Sequence, residues 1–205
     1  MNFSWNNNSH ALWLEKENLY MEVVISTNQQ LEQELENFPV SKIANMSGEE
    51  FFDFLYDKYF VWKYTAKNRL ATTRTHLLKH KENLEELNDI KKSLVSFDAK
   101  DIKKGLEITT KIKGLGTAGA SGLLSLLYPA YYGTVDQFVV LRLQESDEFE
   151  NDQYLHKMRP QNLTIQDGVY LISILKKKAE ELNRENNTTY WTPRKIDKVL
   201  WALNR

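Results

Sequence analysis

The chain has 205 residues, 41% of them hydrophobic and 12% aromatic, and a formal net charge of −1. That is enough apolar material to bury one substantial core, single or two-lobed, and too much for a disordered chain. The lack of cysteine excludes disulfides, thiolate-bound zinc and an iron–sulfur cluster. No apolar run is long enough to span a bilayer, and Met1-Asn2-Phe3-Ser4-Trp5 lacks the basic and apolar character of an export signal. The expectation is a soluble cytoplasmic protein, nucleoid-associated in a prokaryote, and a monomer.

Helical periodicity dominates. Residues 18–36 read as a helix with Leu19, Val23, Leu31 and Leu35 inward. Ser47 with Glu50 forms a capping box, opening a helix that carries Phe51, Phe54, Leu55 and Tyr59. Residues 67–80 form another helix, and 84–95 a further one with Leu84, Leu87, Ile90 and Leu94 on one face. In 101–112, Ile102, Leu106, Thr109 and Ile112 recur at helical spacing, capped by Asp98 or Asp101, although Ile108-Thr109-Thr110 is β-branched enough to be extended. Residues 148–162 are polar and proline-punctuated, a loop. Thr164 caps a long helix with Val169, Ile172 and Leu175 inward. Thr192-Pro193 opens a last helix with Ile196, Val199, Leu200 and Leu203 as its stripe and Trp201 in the core. The expected fold is all-α, a single unit of roughly nine or ten helices, with two lobes flanking a cleft.

Lys113-Gly114-Leu115-Gly116-Thr117-Ala118-Gly119-Ala120 breaks this pattern, and Thr134-Val135-Asp136 comes after it. A glycine-rich turn at a helix start presents bare N–H groups to an anion. The spacing Gly114, Gly116, Gly119 is formally a dinucleotide fingerprint. That reading needs a strand before the turn and an acid after the next strand. Here the preceding residues are helical in period, and Asp136 precedes its apolar run Phe138-Val139-Val140-Leu141. The favoured alternative is helix, hairpin, helix over about 101–128, then a carboxylate opening the next helix.

In that arrangement the chain resembles the helix-hairpin-helix DNA glycosylase superfamily, the group of endonuclease III and the adenine, alkylpurine and 8-oxoguanine glycosylases. The residues that carry the likeness are Ile112-Lys113-Gly114-Leu115-Gly116, the small Ala118, Ala120 and Ser121, the apolar stretch 122–128, and Val135-Asp136. It is strongest over 109–143. The resemblance implies a two-lobed helical fold that binds duplex DNA containing a damaged or modified base. The N–H groups of Gly114, Gly116 and Gly119, with Lys111 and Lys113, would hold a phosphate. The carbonyls of Thr110, Ile112 and Leu115 would hold a K+ or Na+ ion, with no other cofactor. Asp136 would be the catalytic carboxylate, stabilising positive charge on the sugar and orienting water. Bifunctional relatives have a Schiff-base lysine where this chain has Ala118, so base removal without strand cleavage is implied.

Other sites are less well marked. Trp62 and Tyr64 are the candidates for the base pocket; Gln29 and Gln30, or Asn28, are those for filling the gap left by a flipped base. Trp5, Trp13, Trp191, Tyr131 and Tyr132 are further aromatics for which a core role is the plainer reading. His76 and His80, one helical turn apart, lack an evident third ligand and read as solvated. Lysines and arginines cluster at Lys63, Lys67, Arg69, Arg74, Lys79 and Lys81, and again from Lys100 to Lys113, a distribution that suits nucleic acid better than the net charge does. Two rival readings stand: a silent helix-hairpin-helix DNA binder, and a helical adaptor whose glycines only pack helices and whose Asp136 is only a cap.

Overall fold

A computed structural model of the chain describes residues 3–24, 26–36 and 38–203, with 26 and 27 described by backbone alone. No strand occurs among them, and none of their helices is long and apolar enough to cross a membrane. Helix α1, His10–Val23, is capped by the Ser9 hydroxyl, and α2 spans Ser26–Glu36. The single helix expected over 18–36 is therefore two. The β-branched run Val23-Val24-Ile25 is poor helix material. The Gln29 amide donates to the Met21 and Val24 carbonyls at 2.7 and 3.2 Å, satisfying the end of α1 from outside. Leu35 is buried as expected, whereas Val23 is exposed.

Helix α3, Val40–Asn45, leads to α4, Gly48–Asp53, whose Ser47–Glu50 capping box forms as read. A π-helical segment, Phe54–Tyr59, joins it to α5, Phe60–Lys63. One extra residue rotates the helix beyond it by about 100°. Phe51, Phe54, Leu55 and Tyr59 stay in the core while Trp62 and Lys63 face a cavity. Helices α6, Lys67–Leu78, and α7, Leu84–Ser96, match their expected spans closely.

The centre of the molecule is built by α8, Ile102–Thr109, and α9, Thr117–Leu127. Residues 119–127 of α9 are all buried, and α9 packs against α8, α2 and two later helices. Asp136 caps α10, Gln137–Gln144. The loop expected over 148–162 contains a short helix, α11, Gln153–Lys157, because the Asp152 carboxylate accepts the Leu155 N–H at 2.9 Å and nucleates it. Thr164 and Asp167 form a capping box for α12, Ile165–Glu185, and Thr192 caps α13, Pro193–Ala202. The last two helices pack together and α13 lies along α1, so both ends of the described chain close the same side. One contiguous apolar cluster runs from Trp5 to Leu200.

Candidate active site and nucleic-acid interface

The hairpin is a tight, internally bonded turn. Leu115 N–H donates to the Ile112 carbonyl at 3.0 Å. Gly114 adopts φ +99°, and a Cβ there would meet the Thr73 carbonyl at 2.6 Å, so glycine is required on both counts. Gly116 is exposed and faces open space, and no described side chain caps the start of α9. Gly119 is different: it is buried, with the Tyr64 hydroxyl at 2.5 Å from where its Cβ would stand, and its carbonyl accepts from the Tyr59 hydroxyl. Its smallness serves packing. Tyr64 also donates to the Gly114 carbonyl at 3.2 Å, so it buttresses the hairpin and does not border the cavity. Burial pushes the Tyr64 phenol up to about 12.

Lys111 is exposed at this turn. Lys113 is half-buried; its Nζ is 2.9 Å from Glu86, and its backbone N–H donates to His80 Nε2 at 2.9 Å. His80 is therefore no solvated residue. It is fully buried under the hairpin, and burial, then the Lys113 charge, holds its pKa below the usual value. His76 is exposed, and no metal-binding cluster of His, Cys, Asp or Glu occurs among the described residues. Arg74 spans back to the Tyr56 carbonyl and lies over the Tyr56 ring, a packing role.

Two serines carry the hairpin's position to Asp136. Ser121, on α9, accepts the Val135 N–H at 3.0 Å, and Ser125, one turn on, bonds the Thr134 hydroxyl at 3.0 Å. Asp136 Oδ1 accepts the N–H groups of Phe138 and Val139 at 3.0 and 3.4 Å, and Oδ2 faces Lys63 Nζ at 3.2 Å. The cap expected of Asp136 is thus present, and its second oxygen is paired with a cation.

Beside this pair opens a cavity of about 180 Å³, walled by Tyr20, Trp62, Phe138 and Trp201, with Lys63 and Asp136 on its lining. Trp62, the candidate for a base pocket, borders it, its indole N–H held by Glu32. Trp201, expected in the core, is half-buried on this wall. Gln29 is spent on the end of α1 and Gln30 is exposed, and neither borders the cavity; Asn28 does. Trp5, Trp13, Trp191 and Tyr132 are core residues.

Beneath the cavity lies a buried charge cluster. Arg194 is 5% exposed and bonds Asp197 at 2.7 Å, Glu32 at 2.5 Å, Glu36 at 3.3 Å and the Tyr20 hydroxyl at 3.4 Å. Its guanidinium lies over the rings of Trp62 and Tyr20. Asp197 also accepts the Thr134 N–H at 2.6 Å, locking the segment before Asp136. Burial pushes Asp197 up to about 7; Arg194 and the Thr134 N–H pull the other way, and the Asp136 charge adds to the rise. The net rise reflects burial outweighing the guanidinium and the N–H that face the carboxylate. Glu36 moves down despite its burial, because Arg194 and Lys198 both face it.

Lys63, Arg194, Asp197 and Glu32 escaped the sequence reading of this site. Arg194 and Asp197 sit in the first two turns of a capped amphipathic helix, where charge ordinarily means solvent, and the partners of Arg194 on α1 and α2 and of Asp197 at Thr134 are distant in the chain. Comparison with protein-family models, with curated proteins and with solved structures finds no match in any of the three.

Proposed function

We propose that this protein is a monofunctional DNA glycosylase that removes a damaged or modified base from duplex DNA. The observation that carries this is a carboxylate, Asp136, bordering an aromatic-walled cavity while tied by Ser121 and Ser125 to a helix whose start is uncapped and open. The exposed turn at Gly116, the α9 N-terminus and Lys111 grip a backbone phosphate. The target nucleotide swings out, and its base enters between Trp62 and Trp201. As the N-glycosidic bond lengthens, Asp136 stabilises the developing positive sugar and directs water to it. Two helix N–H groups and Lys63 hold the carboxylate in register, so little reorganisation is needed. Gly119 and Tyr64 serve by fixing the hairpin. A monovalent cation at the carbonyls of Thr110, Ile112 and Leu115 belongs to the same reading; the Ile112 oxygen, which accepts only Leu115 N–H within the turn, keeps a lone pair for it.

A silent duplex binder is the second reading. It is favoured by one fact: both oxygens of Asp136 already have partners. Incubating the protein with duplexes carrying single lesions, and then with alkali, separates the two. Base removal is expected at one or more lesions, and Asp136→Asn is expected to lose about 100-fold or more while keeping the cap, since asparagine caps as well as aspartate. An Asp136→Asn protein as fast as the parent sinks the catalytic reading.

A further inference from the structure

No aspartate or glutamate occurs between Asp57 and Glu82, or between Glu107 and Asp136, in a chain whose net charge is −1. The fold brings these two acid-free stretches together at the hairpin. The Thr73 carbonyl and the Phe60 ring stand against Gly114, and the Tyr64 hydroxyl donates to the Gly114 carbonyl at 3.2 Å. The first stretch carries seven lysines and arginines, and their surroundings sort them. Lys58 pairs with Glu34, and Lys63 with Asp136. Arg74 is spent on the Tyr56 carbonyl and ring, and Lys81 lies over the Phe52 ring. Lys67, Arg69 and Lys79 are exposed, and none has a carboxylate partner among the described residues. Lys79 stands at the far end of α6, roughly 15 Å of helix beyond Arg69.

Lys67 and Arg69 open α6 at the near end. Arg69 lies one turn before Thr73, whose hydroxyl donates to the Arg69 carbonyl at 2.9 Å. The Tyr64 phenol, raised by burial, is drawn back by the Arg69 charge, so this cation stands close to the residue that buttresses the hairpin. Thr65, just ahead of α6, borders the cavity. Ala66 supplies no side-chain cap, which leaves first-turn N–H groups beside the two cations. We propose that the start of α6 is a second phosphate contact: Lys67 and Arg69 hold a backbone phosphate of the same duplex that the hairpin grips. The identity of the polyanion as duplex DNA rests on the glycosylase reading. Two exposed cations hold a lone small anion weakly, because water and salt screen them. A phosphate on a strand already held at the hairpin arrives at high effective concentration, and the same two charges then count.

The test is the salt dependence of binding to a labelled, undamaged duplex, measured on the full chain. Combining Lys67→Gln with Arg69→Gln should reduce the slope of log affinity against log salt by about 0.9 for each phosphate contact given up, hence by about 1–2. Between about 50 and 200 mM salt, the parent then loses roughly four- to twelvefold more affinity than the variant. Lys79→Gln, on the same helix but away from the hairpin, should leave the slope as it is. Both replaced side chains are exposed and unpaired, so the fold is not at stake, and circular dichroism should superimpose. An unchanged slope in the double variant, or an equal fall in Lys79→Gln, overturns the proposal. The lesion duplexes separate this contact from the reading beneath it. Base removal by the parent, with the double variant keeping the parent's slope, refutes the α6 contact and leaves the glycosylase standing. A reduced slope in a protein that removes no base does the reverse.

Discussion

At the scale of single residues, the site turns on two charged pairs. Lys63 stands 3.2 Å from Asp136, and it is the ammonium within reach of that carboxylate. If the protein only hydrolyses the glycosidic bond, borohydride should trap no covalent complex with a lesion duplex. A trapped adduct that disappears in Lys63→Gln would show that this lysine has taken the nucleophile's role vacant at Ala118. Asp197 makes a different prediction. Its folded pKa, about 7, lies above its unfolded value of 3.8. The native state therefore holds a proton that the unfolded state releases. The associated stability is complete below about 4 and is lost as pH rises through 7. Subtracting the stability profile of Asp197→Asn from that of the parent should expose a fall across that window; a flat difference refutes it. Asp136 was legible in the sequence because its register to the glycines is local and its cap is an i to i+2 affair. Lys63 and Arg194 were not, because the partners that give them meaning lie on other elements.

At the scale of elements, the hairpin sorts its glycines by what surrounds them. Gly114→Ala combines a left-handed backbone with a carbonyl at 2.6 Å, and a loss of about 1–3 kcal/mol is expected in denaturant unfolding. Gly116→Ala, with φ −87° and open space, should change stability by no more than about 0.5 kcal/mol. Gly116→Glu should fold equally well yet weaken salt-sensitive duplex binding several-fold, by placing a like charge against the phosphate. Unchanged affinity in that variant would remove the hairpin from the DNA interface. The caps at Ser47, Thr164 and Thr192 could be read directly, since each is a bond between near neighbours. The break between α1 and α2 could not, because it depends on the Gln29 side chain turning back onto two carbonyls. The π segment could not either, since the same apolar residues satisfy a regular helix until packing decides.

At the scale of the whole molecule, one large apolar cluster fills most of the interior, and the amino-terminal segment belongs to it. Trp13 is fully buried, stacked edge-on against Phe3, Trp5 and Trp191. Lys178, also buried, reaches Asn8 at 2.8 Å and faces both Trp5 and Trp13. Trp13→Ala should cost about 3–5 kcal/mol. The parent should unfold in one step, with circular dichroism and tryptophan fluorescence tracing the same curve; two separated transitions would contradict a shared core. The all-helical class was legible from period alone, while the closure of the two ends on one another was not, as no local pattern encodes it.

The Arg194 bond to Glu32 joins residues 162 positions apart. The cavity draws its walls from α1 and α2, from the residues around Trp62 and Asp136, and from α13. During synthesis, the pocket does not exist until α13 has left the ribosome. The buried face of α9 must wait for α12 and α13 before it is covered. A nascent or truncated chain would thus display that apolar helix to chaperones and proteases while lacking any place to hold a base. Emergence of α13 is thus the step that completes the site.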